Sequence, residues 1–174
     1  MRATIENAAL FGVTVMLIGT LAFAQAAQSV DMRNAHGEAV GTAMITARTE
    51  GGVEIALDLK GLPPGEHALH FHETARCEAP DFTSAGGHFN PTNKKHGAQN
   101  PEGPHAGDMN NVTVATDGTA KTTTGSASVS LGHGANSLLA NGGTALIVHA
   151  APDDKKTDPA GNAGARIACG VISR

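Results

Sequence analysis

The chain has 174 residues, enough for one domain with a sizeable core, and its formal net charge is -4. Its lysines and arginines form no long runs, and aromatic residues make up only 3% with neither Trp nor Tyr, so both features argue against a nucleic-acid-binding protein. The 22 glycines favour tight turns between strands over long helices.

The N-terminus is typical of an export signal. Arg2 precedes an apolar run from Ala8 to Ala24 that carries no charge, and small residues near its end fit a small-x-small cleavage site. We therefore predict a cleaved signal peptide over residues 1–26, ending between positions 24 and 27, and a single domain over residues 27–174. The alternative is an uncleaved anchor, although the run is near the lower length limit for crossing a bilayer.

Strand patterns dominate the rest of the chain. Val53 to Lys60 alternates apolar and polar residues, which is typical of a strand with one buried face, and Ser126 to Leu131 alternates in the same way. The segment from Ala27 to about Asn34 could be an edge strand or a frayed tail. Further strands are expected at Gly37 to Arg48, His67 to His72, Asn111 to Thr116, Ala145 to His149 and Arg166 to Ile172. Short strands separated by turn residues predict an all-β antiparallel sandwich or barrel.

Two long segments break the strand pattern. Glu73 to Asn110 is rich in Gly, Pro and His, and Ala150 to Ala165 is shorter and similar in character. Loops of this length in a small domain are usually functional or disordered. Cys77 lies in the first loop and Cys169 in the last predicted strand. A disulfide is the expected state of such a pair in an exported protein, and two buried thiols are the alternative.

Histidines cluster around the first loop. His70 and His72 share one face of a predicted strand and can converge on one ion, although such a pair alone is also typical of a solvated face. The loop adds three imidazoles and a carboxylate, a complete tetrahedral set for zinc: His88, His96, His105 and Asp108. A closed set of this kind would fold an irregular loop, and the alternative is a flexible loop that binds metal adventitiously. The histidines left over, His70, His72 and His149, suit copper.

Together these residues resemble the copper–zinc superoxide dismutase family. The resemblance covers nearly all of the chain after residue 26 and rests on the segments His70–Glu73, Gly86–Pro91, Lys95–Gly97, His105–Asp108, Val148–His149 and Gly161–Ile172. It implies a Greek-key antiparallel β-barrel or sandwich of about eight strands with two long functional loops, one of which binds zinc. It also implies one copper and one zinc ion per chain.

The resemblance assigns a role to each candidate residue. Copper would be held by His70, His72, His88 and His149, and zinc by His88, His96, His105 and Asp108, so that His88 bridges the two ions. Asp153 would link His70 with His96 from behind, with its neighbour Asp154 as the competing candidate. Arg166 would guide the anion onto copper, and Arg166 and His88 are the expected catalytic residues. Cys77 and Cys169 would form the family's disulfide.

The expected activity is therefore the dismutation of superoxide to oxygen and hydrogen peroxide. Lys155 and Lys156 are candidates for steering the substrate or are ordinary solvated lysines, and His36, His67 and His133 are expected to have surface or packing roles. The expected location is the periplasm, or outside the cell, with no stable membrane association after signal cleavage, and a homodimer is the expected assembly. The competing interpretations are a metal buffer, a structural sandwich with a non-working copper site, and a secreted interaction module.

Overall fold

The computed structural model describes residues 26–174, so residues 1–25 of the predicted signal peptide lie outside the described part. Nine strands carry the fold: β1 (Ala27–Asn34), β2 (Ala39–Ala47), β3 (Val53–Leu59), β4 (Gly65–His67), β5 (Leu69–His72), β6 (Val112–Val114), β7 (Ala120–Ser126), β8 (Thr144–His149) and β9 (Arg166–Ile172). Two single 3₁₀ turns, Thr83–Ala85 and Ala140–Gly142, are the only helical segments among these residues. Among residues 26–174, no helix is long and apolar enough to cross a membrane.

Seven strands form one curled antiparallel sheet. Their order is β5-β8-β9-β1-β2-β3-β7, while β4 and β6 pair as a separate two-stranded sheet. Two pairs of neighbouring strands are far apart in the sequence, β3 with β7 and β1 with β9. These neighbours are therefore not joined by hairpins. The predicted all-β antiparallel architecture is confirmed.

The alternate, inward-facing side chains of the strands form the main core. In β3 every second residue is buried, in agreement with the predicted alternation from Val53 to Leu59. All six residues of β8 are buried, because the main core packs on one face and the first long loop covers the other. A strand covered on both faces loses the alternating pattern and keeps only an apolar run.

Two segments differ from their predictions. The segment Ala27–Asn34 is neither an edge strand nor a frayed tail, because it lies in the sheet between β2 and β9. The strand predicted from Ser126 to Leu131 is wrong, since β7 ends at Ser126. Val129 and Leu131 are buried in the core all the same, but the backbone beside them bonds to a local loop, with Ser130 joined to Asn136 and Leu138. Alternating burial therefore does not require a strand partner.

Two connections lie at one end of the sheet and carry the candidate site. The first runs from β5 to β6 and the second from β8 to β9. A disulfide joins Cys77 of the first connection to Cys169 of β9, with Cα atoms 5.7 Å apart and a sequence separation of 92. The predicted disulfide is confirmed, and both cysteines of the chain are used in it.

Candidate metal centre

Six buried histidines and two aspartates meet where the two connections cover β5 and β8. We call His70, His72, His88 and His149 the all-histidine group, and His88, His96, His105 and Asp108 the aspartate group. One candidate ligand atom from each member of the all-histidine group lies within 4.8 Å of the others. The two groups share His88, and its ring centroid is 4.0 Å from that of His70.

Backbone pairing brings the ligand-bearing segments together. The amide of Phe71 donates to the carbonyl of Gly107, that of Gly107 donates to Phe89, and that of Phe89 donates to Phe71. His70, His72 and His88 are one residue away from these anchor points; Asp108 directly follows Gly107, and His105 precedes it by two residues. A Cβ atom at position 107 would collide with the carbonyl of Phe71 and approach the amide of Phe89 to 3.0 Å. Glycine is therefore required where three backbone segments meet.

The aspartate group converges on a single carboxylate oxygen. Asp108 Oδ1 lies 2.9 Å from His88 Nδ1, 3.1 Å from His96 Nδ1 and 3.2 Å from His105 Nδ1. Its other oxygen, Oδ2, accepts hydrogen bonds from the amides of Gly97 and His105. Three imidazole nitrogens and one carboxylate oxygen form the closed four-ligand set that structural zinc prefers.

In the all-histidine group, the hydrogen bond of one ring nitrogen leaves the other nitrogen free. His72 donates through Nδ1 to the carbonyl of Gly86, and His149 donates through Nδ1 to the carbonyl of Gly164. The remaining Nε2 atoms of these two rings are 3.3 Å apart. His70 is bonded through Nε2, which leaves its Nδ1 free. Such partners fix the tautomer and the direction of a ligand.

Two buried nitrogens have no hydrogen-bond partner among the described residues. They are His70 Nδ1 and His88 Nε2, and both belong to the all-histidine group. A buried polar atom without a partner is costly, so an unpartnered lone pair in a cluster of nitrogens points to a cation. A set of four nitrogens fits copper, and the residues present therefore fit both metals.

Asp153 lies behind both groups. Its Oδ2 accepts from His70 Nε2 at 3.1 Å, and its Oδ1 accepts from His96 Nε2 at 2.9 Å. The neighbouring Asp154 contacts neither ring, since it is exposed and accepts from Lys156, Thr157 and the Asn162 side chain. Of the two predicted candidates, the structure brings only Asp153 between His70 and His96.

Burial and charge divide the imidazoles into two kinds. Burial lowers the pKa of His72 to about 2, that of His149 to about 3 and that of His88 to about 4. Burial also acts to lower the pKa of His96, but its bonds to Asp108 and Asp153 outweigh this and raise it to about 9. Burial would raise the pKa of both aspartates, yet the surrounding imidazoles hold it well below the usual range. The rings of His72, His88 and His149 are therefore neutral at pH 7 and ready to coordinate a cation.

Comparison with known proteins identifies the family of this chain. The family model described as copper/zinc superoxide dismutase matches residues 39–172. The chain belongs to the copper/zinc superoxide dismutase family. It is 50% identical over 165 residues to a Cu-Zn superoxide dismutase of Aquifex aeolicus, a match that covers 90% of this chain and 96% of the relative. It is 49% identical over 124 residues to the Cu-Zn superoxide dismutase of Caulobacter vibrioides, covering 70% of this chain and 71% of that one.

Solved structures agree with this assignment. A superoxide dismutase-like protein of Bacillus subtilis superimposes with a TM-score of 0.82 at 40% identity, covering 86% of this chain and 99% of that one. The Cu/Zn superoxide dismutase of Brucella abortus gives 0.70 at 31% identity, covering 84% and 99%. The predicted family and fold are confirmed, and so is the enzyme class, an oxidoreductase.

The candidate metal centre opens to the surface through a cavity of about 460 Å³. Rings of His72, His88 and His149 line it, and Arg166 is the one cationic side chain, histidines aside, that lines it among the described residues. Burial lowers the pKa of Arg166, but a guanidinium remains charged at neutral pH. Lys155, one of the two candidates for steering the substrate, does not line this cavity; its Nζ is bonded to Asn110 and it lines a different, smaller cavity. Lys156 is exposed and lines neither cavity.

Sequence reasoning missed two residues that shape this candidate site. His67 is buried, and its ring lies 2.7 Å from the carbonyl of His149 and 2.8 Å from that of Pro63, so its packing role bears directly on a site histidine. Gly161 leaves the space that the contact between His96 and Asp153 occupies. Only the odd spacing of His67 from the ligand strand set it apart in the sequence. His36 and His133 are exposed in connections, as expected.

Proposed function

We propose that this protein converts two superoxide anions and two protons to one molecule of oxygen and one of hydrogen peroxide. Copper would be held by the all-histidine group and zinc by the aspartate group, one of each per chain. The observation that carries the proposal is the position of His88. Its Nδ1 lies 2.9 Å from Asp108 Oδ1, while its Nε2 is buried without a partner on the side of His70 and His72.

The chemistry divides between the ion and the chain. When bound, copper supplies the one-electron redox change that lets it both oxidise and reduce superoxide. The chain supplies the binding site, because the guanidinium of Arg166 presents a fixed positive charge at the mouth and attracts a small anion. His88 Nε2 is the atom positioned to hold a proton for the product, since Nδ1 of the same ring is already fixed by Asp108.

Zinc has a structural role in this proposal. The aspartate group draws ligands from widely separated points of a connection with little regular structure, so a bound ion would tie these points of the connection to one another. Asp153 would hold the rings of His70 and His96 in the orientation that ligation needs.

The compartment and the assembly are also proposals. The disulfide and the bacterial dismutase relatives are in keeping with an exported protein. We infer that residues 1–26 are a cleaved signal peptide and that the domain of residues 27–174 works in the periplasm, with secretion as the alternative. A homodimer without stable membrane association is the proposed form.

The test combines a metal count with an activity assay on the same sample. The purified protein is loaded with copper and zinc, and both ions and the rate of superoxide consumption are measured. The proposal expects one ion of each kind per chain and rapid turnover that is lost when copper is removed. Zinc without copper or activity would favour a structural sandwich. Both metals without activity would favour a metal buffer.

A further inference from the structure

Arg166 is held in place by the main chain of the loop that follows Cys77. Its Nη1 donates to the carbonyl of Phe82 at 2.6 Å, and its Nη2 donates to the carbonyl of Gly86 at 2.7 Å. The Gly86 carbonyl also accepts from His72 Nδ1. The direction of the guanidinium at the mouth therefore depends on where this loop places two carbonyl oxygens.

Phe82 has an unusual backbone. Its φ of 55° and ψ of 23° lie in the left-handed region, which a bulky side chain rarely adopts. A glycine or an asparagine would be expected there if a turn were all that the position required. Strained backbone at such a position persists only when the surroundings hold it, and it is often found where a functional group must be positioned.

The buried ring of Phe82 holds this left-handed backbone conformation in place. It is 1% exposed and forms a second apolar cluster with Ala85, Ala145, Ile147 and Cys169, separate from the main core. Ala145 and Ile147 belong to β8 and Cys169 to β9, so the ring fixes the loop to the sheet. Cys77 also packs against this cluster. The loop is thus attached twice, by a disulfide and by a buried ring.

Space for the guanidinium of Arg166 is available if the carbonyl groups of Phe82 and Gly86 move. A second cavity of about 630 Å³ lies on its other side and is lined by Asp81, Pro80 and Ile167. The Asp81 carboxylate is exposed and acts to raise the pKa of Arg166, so the two charges attract each other. Without its carbonyl acceptors the guanidinium would turn towards Asp81 and away from the copper mouth.

We propose that Phe82 is the positioning residue for Arg166, and that its buried ring holds the Phe82 carbonyl against the guanidinium even when the disulfide is absent. This inference rests on the proposed function for its consequence on turnover. The expected effect on anion binding at the mouth follows from the geometry of Arg166 and does not depend on turnover.

The test measures azide binding to the copper site by optical titration on holoprotein of known metal content, together with the steady-state rate constants for superoxide. Phe82→Gly suits the backbone but removes the ring, whereas Phe82→Leu keeps apolar volume. We expect Phe82→Gly to weaken azide binding and lower kcat/KM by about 5- to 20-fold at full metal content, and Phe82→Leu to retain most of both. Ile55→Ala, in β3 of the main core, is the matched control and should lower the Tm without changing azide binding.

The role of the disulfide is tested with Cys77→Ala/Cys169→Ala. The proposal expects azide affinity within about twofold of the parent in this variant, and a loss only when Phe82→Gly is added. Normal azide affinity in Phe82→Gly, or equal losses in Phe82→Gly and Phe82→Leu, would overturn it. So would a loss in the cysteine variant as large as that in Phe82→Gly. If Phe82→Gly does not fold, the comparison of Phe82→Leu with Phe82→Ala decides in the same way. Because azide binding needs no turnover, a parent protein that binds copper but is inactive would sink the proposed function and leave this test intact.

Discussion

Replacing Asp153 with asparagine should loosen both metal sites while leaving the shape of the site nearly unchanged. The carboxylate offers two acceptor oxygens, one to His70 Nε2 at 3.1 Å and one to His96 Nε2 at 2.9 Å. Both rings must donate from Nε2 if their Nδ1 atoms are to bind metal. An asparagine has one oxygen and one NH₂ group, so one of the two rings would face a donor.

The size of the effect follows from this mismatch. Loss of a partner behind a metal ligand typically costs 10- to 100-fold in metal affinity, which is about 1.4–2.7 kcal/mol. Asp153→Asn should therefore weaken zinc binding by that factor, measured by competition with a chelator of known affinity. The loss should also appear for copper, because His70 belongs to the all-histidine group.

Asp154→Asn is the matched control. Asp154 is the next residue, carries the same charge and, among residues 26–174, accepts hydrogen bonds only from its own loop. This variant should keep both affinities within about twofold. Unchanged zinc affinity in Asp153→Asn, or equal losses in the two variants, would refute the reasoning, because a loss common to both would be an effect of net charge.

Three further results are expected. Gly161→Ala places a Cβ atom against Asp153 and 2.6 Å from His96 Nε2, so it should weaken zinc binding about as much as Asp153→Asn when assayed in the same way. Arg166→Glu should lower kcat/KM by about 10- to 100-fold with both metals still bound. Attraction of an anion makes the rate fall as the ionic strength rises, and this salt dependence should disappear in the variant. Retained activity would refute the role proposed for Arg166. The metal-free protein should be most stable near pH 6.5 in thermal unfolding. The pKa values of His72, His149 and His88 are lowered to about 2, 3 and 4, so below pH 6.5 the unfolded chain binds protons that the folded chain does not. Each of these imidazoles therefore lowers the free energy of unfolding by up to about 1.4 kcal/mol per pH unit as the pH falls. The raised pKa of His96 acts in the opposite direction, and its contribution is lost as pH rises towards 9. A Tm that does not change between pH 4 and 7 would contradict this account.

The strands with one buried face were predictable because alternation in the sequence reports burial directly. β3 is the clearest example. The same rule failed from Ser126 to Leu131, where Val129 and Leu131 are buried from a loop. Strand β7 was missed over Ala120–Ser126, because its central residues are polar and exposed or half-buried. Its pairing with β3 comes from the backbone, which leaves no mark in the side-chain pattern.

The candidate ligands could be chosen from the sequence because their residue types and spacing are restrictive. Their geometry could not, since it depends on contacts between distant backbone segments. The three-way pairing of Phe71, Phe89 and Gly107 is of this kind. So is the position of Lys155, which sequence reasoning considered for steering and which the structure places at Asn110. Proximity in the sequence to a site loop does not decide which side of the loop a side chain faces.

The first connection joins the stability of the sheet to the geometry of the metal centre. One part of it covers the outer face of β8 through the Phe82 cluster, and another part presents His88 to both ligand groups. Arg166 begins β9, and its side chain bonds to the same connection. A change that detaches this connection therefore exposes apolar residues of β8, moves the cationic group at the mouth and displaces the shared imidazole together. A selective variant must remove one of these contacts and leave the other attachments intact. The ring at position 82 and the disulfide at Cys77 are different attachments, so their effects can be measured separately.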